Sequence, residues 1–175
     1  MLAAATEYLA SISETVTVTG RSKSKLLFLK FNSVKSKHIN PVQSDYTFER
    51  TFLEDIHNET NKFGKIELAV IWIHSTAPQM SLKIAGMLNE TGCKFFHVLG
   101  SSFYRPGLLS PDLKGNGFEK LANVEYRRVV LGFKIEDGNS RWLTNDEISE
   151  GVIHAIKNDL SLHVIGETEP WEKRP

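Results

Sequence analysis

The feature that most constrains the fold is a nearly unbroken apolar run at residues 66–73, Ile-Glu-Leu-Ala-Val-Ile-Trp-Ile. A strand with one face in water alternates apolar and polar residues, whereas a strand covered by helices on both faces is apolar throughout. The run therefore predicts a strand near the middle of a parallel sheet. Residues 94–99 and 126–135 are similarly apolar and predict two more strands.

Helical patterns alternate with strand patterns along the chain. Apolar residues at helical spacing predict helices at residues 2–12, 22–31, 47–63, 81–88 and 144–156. Further strands are predicted at residues 15–19, 39–42 and 162–165. Thr47 is expected to cap the third helix, Gly64 to end it, and a capping box at Thr144 to start the last one. Because parallel strands need crossover connections, this alternation predicts an α/β fold of three layers.

Charge and cysteine content limit the partners. The 175 residues, the length of one domain, include 21 Lys and Arg and 21 Asp and Glu. A chain without net charge does not attract a nucleic acid backbone or an anionic membrane, so neither is expected as a partner. Cys93 is the single cysteine and cannot form an internal disulfide, which suits the cytoplasm. No apolar run is long enough to span a membrane.

Short polar segments follow the predicted strands in a recognisable order. They are Thr-Gly-Arg-Ser at 19–22, Ser-Asp-Tyr at 44–46, Trp-Ile-His-Ser at 72–75 and Gly-Ser-Ser at 100–102. This order resembles the short-chain dehydrogenase/reductase family, and in particular small bacterial proteins at its edge. The resemblance implies a single Rossmann-like domain over residues 1–175. It also implies an oxidoreductase that uses NADP(H) or NAD(H) on a small-molecule substrate.

The resemblance covers nearly the whole chain except its beginning. In the family, a strand and a glycine-rich turn precede the first helix, and Met1 and Leu2 resemble the last residues of that turn. The glycines let the backbone approach a pyrophosphate at the helix N-terminus. The resemblance therefore implies an N-terminally truncated Rossmann-like sheet without its first strand, with Leu2 beside the cofactor. Either the start is an internal Met or the chain is a truncated product.

The resemblance also assigns cofactor-binding residues. Arg21, with Ser22 or Lys23, stands where a basic residue suits the 2′-phosphate of NADP, which favours NADP over NAD; alternatively, Arg21 is a solvated loop charge. Asp45 is placed against the adenine amino group, or else forms an Asx turn leading into Thr47. Ile73 and Ser75 are placed beside the cofactor ribose.

Four residues are catalytic candidates. Ser101 and Ser102 follow a strand where the family carries its catalytic serine, although a serine there is also an ordinary helix cap. His74 could donate to a ribose or carry a proton, and Tyr104 is a further candidate. The family's Tyr-x-x-x-Lys pair is not found, because Tyr104 precedes Arg-Pro-Gly-Leu and Tyr126 lies within a predicted strand. A non-catalytic dinucleotide-binding or sensing protein is therefore the alternative function.

A third class is an interaction protein. The absent first strand would leave an open slot that pairs with another chain, and homo-oligomers are one outcome. Arg141 and Trp142, just before the last helix, could form a ligand wall or an oligomer contact, or Trp142 could pack on that helix as a hydrophobic staple. Glu136-Asp137-Gly138 is interpreted as a turn rather than a metal site.

Overall fold

The structure is a computed structural model that describes residues 1–74, 76, 77, 79–104 and 117–175. Its helices are α1 Ala3–Ile12, α2 Lys23–Asn32, α3 Glu49–Phe63, α4 Met80–Leu88 and α5 Asn145–Lys157. Its strands are β1 Val16–Gly20, β2 Ile39–Gln43, β3 Leu68–Ile71, β4 Cys93–Gly100, β5 Val124–Leu131, β6 Phe133–Glu136, β7 Asn139–Trp142 and β8 Leu162–Ile165. Short 3-10 turns cover Ser36–His38, Ser101–Tyr104, Phe118–Lys120 and Trp171–Lys173.

The main sheet has four parallel strands in the order β3-β4-β5-β8, and β1 pairs in parallel with β2 in a second, two-stranded sheet. Phe95 and Phe96, adjacent on β4, are both fully buried and belong to different apolar clusters. The Phe95 cluster includes residues of α3 and α4, and the Phe96 cluster includes residues of α1 and α5. Helices therefore cover both faces, and the predicted three-layer, Rossmann-like α/β fold is confirmed.

The two parallel sheets do not join. In the described residues no strand lies between β1 and β3, and a cavity of 2240 Å³ is lined by every residue of both strands. The prediction that β3 lies near the middle of its sheet is wrong, because among the described strands β4 is the single hydrogen-bonded neighbour of β3. An apolar strand can thus lie at an edge when a cavity, rather than another strand, adjoins it.

The single strand predicted at residues 126–135 is divided at Gly132. After β5, the chain turns at Gly132 into β6, which pairs antiparallel with β7. A Cβ atom at Gly132 would lie 2.2 Å from the carbonyl oxygen of Glu167, so only glycine allows this backbone approach. The hairpin turn at Asp137 and Gly138, with φ of 51° and 80°, confirms the predicted turn.

Helix ends are mostly where the sequence predicts them. The capping box at Thr144 is present, since its hydroxyl accepts from the Glu147 N–H and the Glu147 carboxylate accepts from the Thr144 N–H. Gly64 ends α3 with a φ of 86°. The cap predicted at Thr47 is wrong, because α3 begins at Glu49 and the Thr47 hydroxyl donates to Asp45 instead. Among the described residues, no helix has the length and apolarity needed to cross a bilayer.

Candidate functional site

The N-terminus of α1 opens into the cavity between β1 and β3. Met1, Leu2 and Ala3 to Ala5 line the cavity. Leu2 precedes the helix without a side-chain cap, and the first turn holds no acidic residue. The first N–H groups of a helix have no intrahelical acceptor and carry the positive end of the helix dipole. Ser149 of α5 donates to the Met1 carbonyl over 2.8 Å, which holds this end in place.

Arg21 and Ser22 lie at the carboxyl end of β1 and line the same cavity. The Ser22 hydroxyl caps α2 by accepting from the Lys25 N–H over 3.4 Å. Arg21 is exposed, and its guanidinium forms no ion pair with the described residues, while its carbonyl accepts from the Gln43 amide. A cation beside a helix N-terminus is a suitable pair of groups for an anionic ligand.

Asp45 forms the Asx turn that was its alternative interpretation. Its carboxylate accepts from the Thr47 N–H over 2.9 Å and from the Thr47 hydroxyl over 2.8 Å. The backbone hydrogen bond from Thr47 is the main cause of a lowered Asp45 pKa, and the charge of Arg21 adds to it. Asp45 does not line the cavity. Its contact with an adenine stays a prediction.

Of the candidate residues that follow β3, Ile73 lines the cavity. Trp72 and Ile73 line it, and Ile73 also packs against the apolar cluster that contains Phe95. His74 is exposed, does not line the cavity and has its ring centroid 5.9 Å from that of Trp72. Ser75 lies outside the described residues. Ile73 thus lines the cavity that Arg21 also lines, whereas His74 does not, and the roles of both residues stay predictions.

Ser101 lies at the carboxyl end of β4, where the sequence placed a catalytic serine. It is 2% exposed, and its Oγ accepts from Arg174 Nε over 2.7 Å. Ser102 is exposed, and the side chain of Tyr104 lies outside what the structure describes. Arg174 was not found from the sequence, because 73 residues separate it from Ser101 and the segment that carries it was interpreted as a polar tail.

The Arg174 guanidinium lies against two tryptophans. Its Cζ atom is 4.7 Å from the ring centroid of Trp142 and 5.2 Å from that of Trp171. Trp142 is 46% exposed, and Leu143, rather than Trp142, packs with Ile148 in the cluster beneath α5. The staple interpretation of Trp142 is therefore wrong, and Leu143 has that position.

Arg141 forms a structural tie between the hairpin and α5. Its guanidinium donates to both carboxylate oxygens of Glu136 and of Glu147 over 2.7 to 3.0 Å. Hydrogen bonds from Arg141 and Lys134 lower the pKa of Glu147 well below its usual range. With these bonds made, Arg141 has a role in joining β6 and α5 that needs no ligand.

Tyr126 is half-buried and is the third residue of β5, near the amino end of that strand. Its hydroxyl lies 3.0 Å from Nδ1 of His97, and its ring stacks on Phe118 with centroids 4.1 Å apart. Burial lowers the pKa of His97 to about 4, so this imidazole is neutral at physiological pH. This phenol ring packs against the Phe95 cluster.

The structure therefore brings some predicted residues together and separates others. Leu2, Arg21, Ser22 and Ile73 line one cavity, although it also extends along the full length of β1 and β3. Ser101 belongs to a separate cluster with Arg174. In open α/β sheets, ligands bind outside the carboxyl ends of the strands, where both groups lie.

Comparison with known proteins agrees with the fold. No family model and no curated protein sequence matches the chain. Among solved structures, the chain is similar to one titled "Crystal structure of a putative betaketoacyl-ACP reductase". The two share 12% sequence identity with a TM-score of 0.61, over 94% of this chain and 90% of the other. At this identity the likeness shows a shared Rossmann-like fold.

Proposed function

We propose that this protein is a short-chain dehydrogenase-like oxidoreductase that binds NADP(H) in preference to NAD(H) and acts on a small-molecule substrate. The observation that carries the proposal is the cavity shared by Leu2, Arg21, Ser22 and Ile73, which come from three separate segments of the chain. The similar solved structure, whose title names a reductase, adds support from the fold.

The residues present fit a nicotinamide dinucleotide. The first N–H groups of α1, which no side chain of the described residues caps, suit its pyrophosphate because they lie at the positive end of a helix. Arg21 suits a 2′-phosphate, since a guanidinium binds phosphate oxygens in pairs. Ile73 offers an apolar surface to the sugar and its attached ring. When bound, such a cofactor supplies or accepts a hydride.

Ser101 has a hydroxyl whose orientation is set by Arg174. Its oxygen accepts from Arg174 Nε and, among the described residues, its own hydrogen has no acceptor, so that hydrogen can turn towards a ligand. In the proposed reaction, Ser101 donates this hydrogen bond to a substrate carbonyl or alcohol oxygen. Ser102, Tyr104 and His74 are the proposed sources of the proton that this oxygen gains or loses.

The proposal is tested by titrating the chain with NADPH and with NADH while following cofactor fluorescence. We expect NADPH to bind more tightly, and Arg21→Gln to weaken NADPH about tenfold while NADH is unchanged, because about 1.4 kcal/mol is a tenfold change in affinity. Arg50→Gln is the matched control, since Arg50 is exposed on α3 and pairs with Glu54. If neither NADPH nor NADH binds, the proposal is refuted.

One observation favours a second function, that of a dinucleotide-binding or sensing protein without catalysis. The sequence has no Tyr-x-x-x-Lys pair, and Tyr126 is committed to the His97 contact. The two functions separate in an assay of NADPH oxidation with a panel of ketones and aldehydes. Turnover that is lost in Ser101→Ala supports the oxidoreductase, whereas binding without turnover supports the sensor.

A further inference from the structure

Arg174 is the feature of the molecule that neither the sequence patterns nor the proposed cofactor site explains. We propose that its guanidinium is an oxyanion-binding site for a carboxylate or phosphate group of the protein's small-molecule ligand. The inference rests on the proposed function in placing that group beside Ser101, and it names the substrate class as an anionic carbonyl compound or alcohol.

The tail that carries Arg174 is tied to the sheet. The backbone of Glu167 pairs with that of Phe133 through two hydrogen bonds of 2.9 and 2.8 Å. The close approach at Gly132 adds to this contact. The chain then forms the 3-10 turn Trp171–Lys173, whose Trp171 carbonyl accepts from the Arg174 N–H. These contacts bring Arg174 back to the carboxyl edge of β4.

The side chain of Arg174 is held on three sides. Trp142 and Trp171 lie near its guanidinium, and Nε donates to Ser101. An arginine restrained in this way has less side-chain entropy to lose when it binds a ligand. Cation–π contacts also keep the charge in place without neutralising it.

The terminal amino groups of Arg174 remain available. Among the described residues, the Arg174 side chain makes its hydrogen bond through Nε, and Nη1 and Nη2 have no hydrogen-bond or ion-pair partner there. Arg141 and Arg127 differ, because their guanidinium groups are bound to carboxylates, of Glu136 and Glu147 and of Glu125 and Asp159. The two Nη groups form the edge that binds planar carboxylates and phosphates through paired hydrogen bonds.

The anion site is tested by tryptophan fluorescence, because Trp142 and Trp171 flank Arg174 and Trp72 is the one other tryptophan. Wild-type protein is titrated with inorganic phosphate and, in a second arm, with acetate, each against sodium chloride at equal ionic strength. We expect a saturable change with at least one oxyanion and none with chloride. The arm with the tighter binding identifies phosphate or carboxylate as the preferred group.

Two variants assign the response to the guanidinium. Arg174→Gln is expected to abolish the fluorescence response. Arg174→Lys keeps the charge but loses the paired N–H donors of the guanidinium, and it is expected to weaken binding at least fivefold. Lys173→Gln removes the same charge from the neighbouring residue and is expected to bind as the wild type does. Circular dichroism verifies that each variant is folded. A response that persists in both Arg174 variants, or is absent from the wild type, overturns the inference.

The same samples separate this inference from the proposed function. NADPH is titrated into wild type and Arg174→Gln, and equal binding is expected, since Arg174 does not line the cavity of Arg21. NADPH binding without an oxyanion response refutes the anion site alone. An oxyanion response without NADPH binding refutes the cofactor proposal and leaves the anion site in place.

Discussion

The two parallel sheets differ in how completely their strands are covered. In β4, Phe95 and Phe96 are both 0% exposed, and β4 has a strand on either side. In β1 no residue is buried, and in β2 only Ile39 is. Yet β1 reads Val-Thr-Val-Thr, as strong a β-branched pattern as any in the chain. Strand propensity thus sets where a strand forms, and its neighbours set how much stability the strand contributes.

The largest expected effect is a loss of stability in acid, and it comes from His97 on the covered strand β4. Its pKa falls from 6.5 to about 4 on burial. Below about pH 6.5 His97 is protonated in the unfolded chain, whereas in the folded chain it stays neutral down to about pH 4. The free energy of unfolding therefore falls as the pH drops through this window. The loss approaches about 3 kcal/mol at its acid end, at about 1.36 kcal/mol per pKa unit. Urea unfolding at a series of pH values measures it.

The control for this pH dependence is His97→Gln, which keeps a polar partner for Tyr126 but does not titrate. We expect it to reduce the slope of stability between about pH 6.5 and 5. A smaller dependence should remain from His163, whose pKa burial and the nearby His154 also lower. An unchanged slope in His97→Gln would contradict the assignment.

A matched pair of valines compares the sheets directly. Val129→Ala on β5 removes two methyl groups from a fully buried site and should cost about 2 kcal/mol in the free energy of unfolding. Val18→Ala on the half-buried β1 should cost about 1 kcal/mol or less. Chemical denaturation of both variants gives the two values. Equal losses would show that the cavity beside β1 is closed in solution.

A pair of helix caps gives the smallest expected difference. Thr144→Ala removes a full capping box from α5, which packs on the four-stranded sheet, and should cost about 1 kcal/mol. Ser22→Ala removes the longer bond of 3.4 Å at α2 and should cost about 0.5 kcal/mol. Thermal unfolding of the two variants ranks them. The reverse order would mean that α2 is more tightly coupled to the fold than its exposure indicates.

Local signals in the sequence predicted most elements and some of the candidate site. Gly64 and the capping box at Thr144 ended and began helices as predicted, because these signals act within one helical turn. Arg21, Ser22 and Ile73 were placed correctly at the carboxyl ends of strands, since strand order along the chain determines where such ends fall. The predicted Thr47 cap is wrong because the Thr47 hydroxyl donates to Asp45 instead.

The sequence by itself determined an α/β chain with alternating helices and strands, because hydrophobic period and capping are properties of neighbouring residues. Tertiary structure decided that β3 is an edge strand beside a cavity and that residues 126–135 divide at Gly132, where the Glu167 backbone approaches. It also decided that Arg174 meets Ser101. Contacts between residues far apart in sequence depend on how all the layers pack, and no local pattern records them.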